Sequence, residues 1–156
     1  MARKLTIIAL IAALYVVLTL LFAPLSFNYL QFRISEVLTV LPFFTPLAVP
    51  GLFIGAVISN WYSSFGIIDV IFGGLASFLA AWLTSKMPNR WLAPLPPVIV
   101  NAVIIGAMLG GIADIPGLSI PMAMLWVGLG QLGVCYGLGL PFLLILERYR
   151  HLFPKL

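Results

Sequence analysis

One short run, Gln31-Phe32-Arg33-Ile34-Ser35-Glu36, concentrates the ionisable chemistry of this chain. Arg33 and Glu36 are the only charged residues between Lys4 and Asp69, and the surrounding sequence is apolar. Three residues apart, they would share one face of a helix. Because ionisable groups beside a membrane span are costly, they indicate a binding site or a transport pathway.

The same run also allows a purely structural interpretation. Arg33 and Glu36 would form an ion pair at the start of a helix, in which Arg33 orients Glu36 and keeps it ionised. Ser35 would cap that helix, and the helix dipole would favour Glu36 in the first turn. A cap and a binding role are compatible, so the residues alone leave both open.

Composition predicts a single integral membrane domain built only from helices. Of 156 residues, 63% are hydrophobic and 8% are charged, whereas a soluble domain carries about 25% charged residues. The net charge of +4 does not form a basic stripe interleaved with aromatic residues, which argues against nucleic-acid binding. A spanning helix needs about 20 apolar residues. Prolines, glycines and charges predict six transmembrane helices, at about residues 5–22, 35–46, 51–63, 67–85, 97–111 and 121–149.

The basic residues predict the topology of these helices. Six spans place both termini on one face, and seven of the eight Lys and Arg residues fall on that face: Arg3, Lys4, Lys86, Arg90, Arg148, Arg150 and Lys155. The positive-inside rule therefore predicts that the N and C termini are cytoplasmic. Three of the four acids, Glu36, Asp69 and Asp114, gather on the opposite, outer face.

That outer face also collects amides and aromatic rings, and it is where we predict a ligand pocket. Asn60 is informative because a lone amide near lipid depth needs a partner. Trp61 and Tyr62 could instead be interfacial anchors. The candidate binding residues are Arg33, Glu36, Asn60, Trp61, Tyr62, Asp69, Asn101, Trp126 and Gln131.

Several kinds of chemistry have no support in the sequence. There is no Gly-rich phosphate-binding loop, so the chain is not expected to hydrolyse ATP itself. Cys135 and His151 are the sole cysteine and histidine, which makes a zinc site improbable and leaves no nucleophile with a histidine base. We expect neither an enzyme nor a metal or cofactor, and a substrate-binding membrane subunit fits better than a free-standing transporter with inverted repeats.

Three stretches are similar to the queuosine-precursor transporter family (QueT): the run Gln31 to Glu36, then Leu41-Pro42-Phe43-Phe44-Thr45-Pro46, and Pro50-Gly51-Leu52-Phe53-Ile54-Gly55. This resemblance implies the substrate-binding S component of an energy-coupling factor (ECF) transporter, a six-helix bundle with an outward pocket. It also implies a coupling membrane subunit and two separate ATPase subunits as partners. The substrate would be a deazaguanine base, with Glu36 and Asp69 accepting its donors, the amides bonding to it and the aromatic rings stacking on it.

Two other classes of function remain open at this stage. The chain could be an S component for another vitamin, such as a flavin or folate, or a membrane assembly protein that transports nothing. The first helix bears on this choice, because Ala9, Ala12 and Ala13 form a small-residue patch. Ala9 and Ala13 have the spacing that lets another helix approach closely, which predicts docking of the coupling subunit there.

Overall fold

The computed structural model describes residues 1–28, 31–113 and 115–150, and this part of the chain is helical without strands. Asp114 and Lys155 lie outside the described residues. The α-helices are α1 (Ala2–Leu21), α2 (Ala23–Ser26), α3 (Ala48–Asn60), α4 (Ile67–Thr84), α5 (Leu95–Gly111), α6 (Ile120–Val134) and α7 (Leu140–Glu147). A 3₁₀ helix covers Ile34–Phe43, and a π-helical turn covers Cys135–Gly139.

The distribution of polarity is that of a protein surrounded by lipid. Large apolar side chains such as Leu10, Ile71 and Leu125 are about 60% exposed (59%, 59% and 61%), while Arg33 and Asp69 are 4% and 0% exposed. Three helical stretches are long and apolar enough to cross a membrane: Ala2–Leu21, Ile67–Thr84 and the run Ile120–Glu147. The remaining apolar helices, such as Ala48–Asn60, have 10–17 residues. The prediction of an all-helical membrane protein is therefore confirmed.

The second predicted span is a 3₁₀ helix rather than a bent α-helix. Pro42 lies inside it, and a proline can neither donate an amide hydrogen nor fit against the preceding helical turn. A ten-residue 3₁₀ helix is unusually long, and its rise of about 2.0 Å per residue gives a length of about 20 Å. Seven of its ten residues are buried, so it runs through the interior of the bundle.

Two proline-containing regions also differ in detail from the sequence prediction. The first helix ends at Leu21, close to the predicted residue 22, and Pro24 then occupies the first turn of the separate short helix α2, where its missing N–H is not needed. Near the other end of the chain, Pro141 cannot donate to the carbonyl of Gly137, four residues earlier. The predicted single last helix accordingly contains the π-helical turn between α6 and α7.

Glycines set the closest helix contacts. A Cβ atom added to Gly106 or Gly110 of α5 would come within 2.5 Å of a Cα atom in α6, of Met124 or Ile120 respectively. On the other side of the bundle, an added Cβ at Gly55 of α3 would lie 2.8 Å from the Cβ of Tyr15 in α1. Backbones can approach this closely only where side chains are absent, which is how helices pack in lipid.

Candidate functional site

Arg33 lies at the centre of a buried polar cluster that joins three parts of the chain. Its Nη1 atom donates to Asn60 Oδ1 at 2.8 Å, and its Nη2 atom is 3.4 Å from Asp69 Oδ2. Its Nε atom donates to the carbonyl of Ser26 at 3.2 Å, and the guanidinium lies 5.3 Å from the centroid of the Phe27 ring. Asn60 Nδ2 in turn donates to the backbone carbonyl of Asp69 at 3.1 Å. Asn60 and Asp69 therefore hold Arg33 in place.

The prediction that Arg33 forms an ion pair with Glu36 is wrong, because Arg33 pairs with another acid. Arg33 precedes the 3₁₀ helix with an extended backbone, and its guanidinium pairs with Asp69 instead. The predicted cap is also wrong, because Ser35 lies within the 3₁₀ helix, and its Oγ atom accepts a hydrogen bond from Thr19 Oγ1 of α1 at 2.7 Å.

Glu36 is 1% exposed and only half satisfied. Its Oε1 atom accepts a hydrogen bond from the Tyr15 hydroxyl at 2.6 Å, a length typical of a strong O–H···O⁻ bond. Its Oε2 atom is buried and has no hydrogen-bond partner among the described residues. An unpaired buried acceptor costs about 1–3 kcal/mol, so this oxygen is available to a ligand that carries an N–H donor.

Two amides from α5 and α6, Asn101 and Gln131, line the same interior cavity as Arg33 and Glu36. Asn101 Nδ2 donates to Gln131 Oε1 at 3.1 Å, and Gln131 Nε2 donates to the carbonyl of Gln31 at 3.4 Å. Asn101 and Gln131 are 4% and 1% exposed. Asn101 and Gln131 therefore link the segment before the 3₁₀ helix to α5 and α6, whose backbones pack closely against each other.

These groups surround one small interior cavity, lined by Gln31, Arg33, Glu36, Gly73, Ser77, Asn101, Ile105, Val127 and Gln131. The space open to water is about 10 Å³, enough for about one water molecule. Binding sites for drug-sized molecules have volumes of about 300–1,000 Å³. The structure thus holds a small polar cavity, whose walls must separate to admit anything larger than water.

The structure brings four of the nine predicted binding residues to the cavity, namely Arg33, Glu36, Asn101 and Gln131. Asn60 and Asp69 support Arg33 from outside the lining. The three predicted stacking residues, Trp61, Tyr62 and Trp126, are 69%, 66% and 39% exposed and are not part of the lining. The lining contains no aromatic ring among the residues that the structure describes.

The alanine patch on α1 divides between two faces. Ala9 and Ala13 are exposed, while Ala12 is 6% exposed and its carbonyl would lie 3.0 Å from a Cβ added to Gly55 of α3. Ala12 therefore packs inside the bundle, where no docking partner could reach it. Only Ala9 and Ala13 present a small-residue surface to the outside.

Three important residues were not among the predicted site residues. Tyr15 could have been found, since it is the one tyrosine in the apolar first helix, four residues before the polar Thr19. Gly73 gives no such signal, although an added Cβ there would overlap the amide nitrogen of Asn60. Gln31 adopts a left-handed backbone conformation with φ of 49°, which no local residue pattern indicates.

Within the described residues, no group of three or more His, Cys, Asp or Glu side chains could hold a metal ion. Cys135 is buried and free, and its Sγ atom lies 3.6 Å from Gln131 Oε1. The polar residues that line the cavity carry amide, carboxylate, hydroxyl and guanidinium groups, all of which can form hydrogen bonds.

Comparison with known proteins identifies the family of this chain. The family described as "QueT transporter" matches residues 5–148. The chain is 42% identical over 74 residues to a curated protein named "Queuosine precursor transporter QueT" from Lactococcus lactis subsp. cremoris (strain MG1363). That match covers 46% of this chain and 43% of the relative, so the chain spans less than half the length of this relative. No solved structure matches. Because the family match extends over nearly the whole sequence, this multi-pass membrane protein belongs to the QueT transporter family.

Proposed function

We propose that this protein binds a queuosine precursor, a deazaguanine-type base, and imports it as the substrate-binding S component of an ECF-type transporter. Family membership and the printed name of the relative support the substrate. The observation that carries the proposal is that Glu36 lines the interior cavity and that its buried Oε2 atom has no hydrogen-bond partner among the described residues.

The chemistry of a deazaguanine matches this acceptor. The base carries a ring N–H beside an exocyclic amine, and a carboxylate can accept two parallel donors with its two oxygens. Tyr15 already donates to Oε1, and each carboxylate oxygen has a second lone-pair site. Asn101 and Gln131 offer further donors and acceptors in the lining of the same cavity. Arg33, fixed by its own partners, places a positive charge on the same cavity.

Binding requires the cavity to open. A space of about 10 Å³ accommodates about one water, which is far less than a two-ring base needs. The walls belong to the 3₁₀ helix, α4, α5 and α6, so a base must separate some of these elements as it enters. The unusual 3₁₀ and π-helical geometries support this idea, because such segments often mark functional hinges. The S component would accordingly exist in closed and open states.

Energy coupling must come from other subunits, because the chain has no phosphate-binding loop of its own. We place a coupling membrane subunit and two ATPase subunits beside this protein. Ala9 and Ala13 are exposed on α1 and would admit a helix of the coupling subunit closely. Six membrane crossings with both termini in the cytoplasm complete the proposal, on the basis of the basic residues at the ends and in the 86–90 turn.

Mass spectrometry of the purified protein after incubation with deazaguanine-type precursors tests the substrate. A retained molecule with the mass of such a precursor would support the proposal. A retained flavin or folate would contradict it and favour an S component for another vitamin. If no small molecule is retained and uptake by cells does not depend on the protein, the assembly-protein alternative gains support.

A further inference from the structure

Gln31 is the most unusual residue of the cavity wall. It is 2% exposed, its side chain lines the cavity, and its Nε2 atom is buried without a hydrogen-bond partner among the described residues. Its φ of 49° is uncommon for a residue other than glycine and costs about 1–3 kcal/mol, so it persists only where the surroundings enforce it.

The surroundings of Gln31 do enforce this backbone conformation. Its N–H donates to the carbonyl of Asn28 at 3.0 Å. Its own carbonyl accepts from the N–H of Arg33 at 2.8 Å and from Gln131 Nε2 at 3.4 Å. Three main-chain hydrogen bonds therefore fix the position from which the amide side chain enters the cavity.

Gln31 and Glu36 present complementary groups that do not meet. An amide N–H and a carboxylate oxygen would pair readily if they were within reach. Yet Gln31 Nε2 and Glu36 Oε2 both lack a hydrogen-bond partner among the described residues, and both residues line the same cavity. Each unpaired group costs about 1–3 kcal/mol. A ligand edge that carries an acceptor next to a donor would satisfy both groups at once.

We propose that Gln31 is a specificity-determining residue that, together with Glu36, recognises the lactam edge of the substrate. Gln31 donates to the ring carbonyl, and Glu36 accepts the neighbouring ring N–H. This inference rests on the proposed function and deepens it, because it assigns the edge by which the base is read. In a base with an amine in place of that carbonyl, an N–H donor of the base would face the N–H donor of Gln31, and no hydrogen bond could form between them.

Competition binding on the purified full-length protein tests this assignment. The probes are deazaguanine and its diamino analogue, in which an amine replaces the ring carbonyl. Sites built to hydrogen-bond one group reject analogues that cannot make the bond. We expect the wild-type protein to prefer deazaguanine by about 100-fold or more.

Two variants of Gln31 probe the donor directly. Gln31→Glu keeps the shape but replaces the donor with an acceptor, so the preference should fall at least about tenfold or reverse. Gln31→Met removes the amide without adding charge and should also reduce the preference, which keeps the test valid if the glutamate variant does not fold. Ser77→Ala, at a cavity-lining residue of α4, is the control, and it should leave the ratio of the two affinities unchanged.

The outcomes separate this inference from the proposed function. If folded Gln31 variants bind both bases with the wild-type ratio, or if the wild-type protein binds the two bases equally, the role of Gln31 is refuted while the substrate class stands. If the wild-type protein binds neither base, the proposed function fails and the assignment of Gln31 fails with it.

Discussion

Replacing Gly73 with alanine should dismantle the support of Arg33 without touching a charged residue. A Cβ atom at this position would overlap the amide nitrogen of Asn60 and lie 3.4 Å from Asp69 Oδ1. Asn60 would have to move, and it would lose its hydrogen bonds to the Asp69 carbonyl, at 3.1 Å, and to Arg33, at 2.8 Å.

The expected cost follows from these two bonds. A neutral hydrogen bond contributes about 0.5–1.5 kcal/mol and one to a charged group about 1.5–3 kcal/mol, so their loss amounts to about 2–4 kcal/mol. Alanine regains about 1 kcal/mol of helix propensity over glycine. The free energy of unfolding should therefore fall by about 1–3 kcal/mol. For a protein of this size that lowers the unfolding temperature by about 3–10 °C.

Gly74→Ala is a matched control, because it makes the same change in the next residue of α4. Its added Cβ would meet only side-chain atoms, Val57 Cγ2 at 2.9 Å and Phe53 Cε2 at 3.5 Å, in an apolar groove that faces outward. These side chains can shift, so the unfolding temperature should remain within about 3 °C of wild type.

Thermal unfolding in detergent and ligand affinity, measured for both variants, provide the assay. An Asn60→Ala background offers a further check, because the obstructing amide is then absent and Gly73→Ala should cost less than about 1 kcal/mol. Equal unfolding temperatures for the Gly73 and Gly74 variants would refute the reasoning. So would an undiminished cost of Gly73→Ala in the Asn60→Ala background.

Three further predictions concern the ion pair, the docking surface and the opening of the cavity. Arg33→Ala and Asp69→Ala should each destabilise the protein by about 3–5 kcal/mol, because each leaves a buried charge unpaired. The double variant should cost less than the sum of the two single variants. Additive losses in thermal unfolding would contradict this coupling. Ala13→Trp should abolish co-purification with the coupling subunit and leave ligand affinity unchanged. Ala12→Trp, on the buried face of α1, should instead impair folding. Loss of ligand affinity in the folded Ala13→Trp variant would argue against the docking assignment. In stopped-flow fluorescence the observed binding rate should level off as the ligand concentration rises, because the cavity must open first. An observed rate that rises linearly with ligand concentration up to saturation would exclude a rate-limiting opening.

The sequence was most informative where polar residues interrupt apolar runs. In lipid such side chains need partners. Arg33, Asn60 and Asp69, which this reasoning proposed as binding residues, are buried, and Arg33 contacts both of the others. The approximate positions of the helices could also be predicted, since apolar length and proline placement determine them.

Pairing and local geometry could not be predicted in the same way. Arg33 pairs with Asp69, 36 positions later in the chain, although Glu36 is much nearer in sequence. The choice between an α-helix and a 3₁₀ helix at Ile34–Phe43 depends on how the segment packs, because both satisfy the same apolar pattern. Trp61 and Tyr62 follow directly after Asn60 but are exposed, because α3 ends at Asn60 and both residues lie in the turn after it.

Calorimetric titration of deazaguanine-type precursors into the purified protein tests the central claim most directly, with Glu36→Gln compared against Glu147→Gln. Glu147 is the other glutamate of the chain, and it forms only a partly exposed ion pair with Arg90, so its loss should change affinity by less than about threefold. Glu36→Gln removes a charged acceptor and should weaken binding by about 10- to 100-fold, which corresponds to about 1.5–3 kcal/mol. Wild-type binding weaker than about millimolar, near −4 kcal/mol, or unchanged affinity in Glu36→Gln would contradict the account.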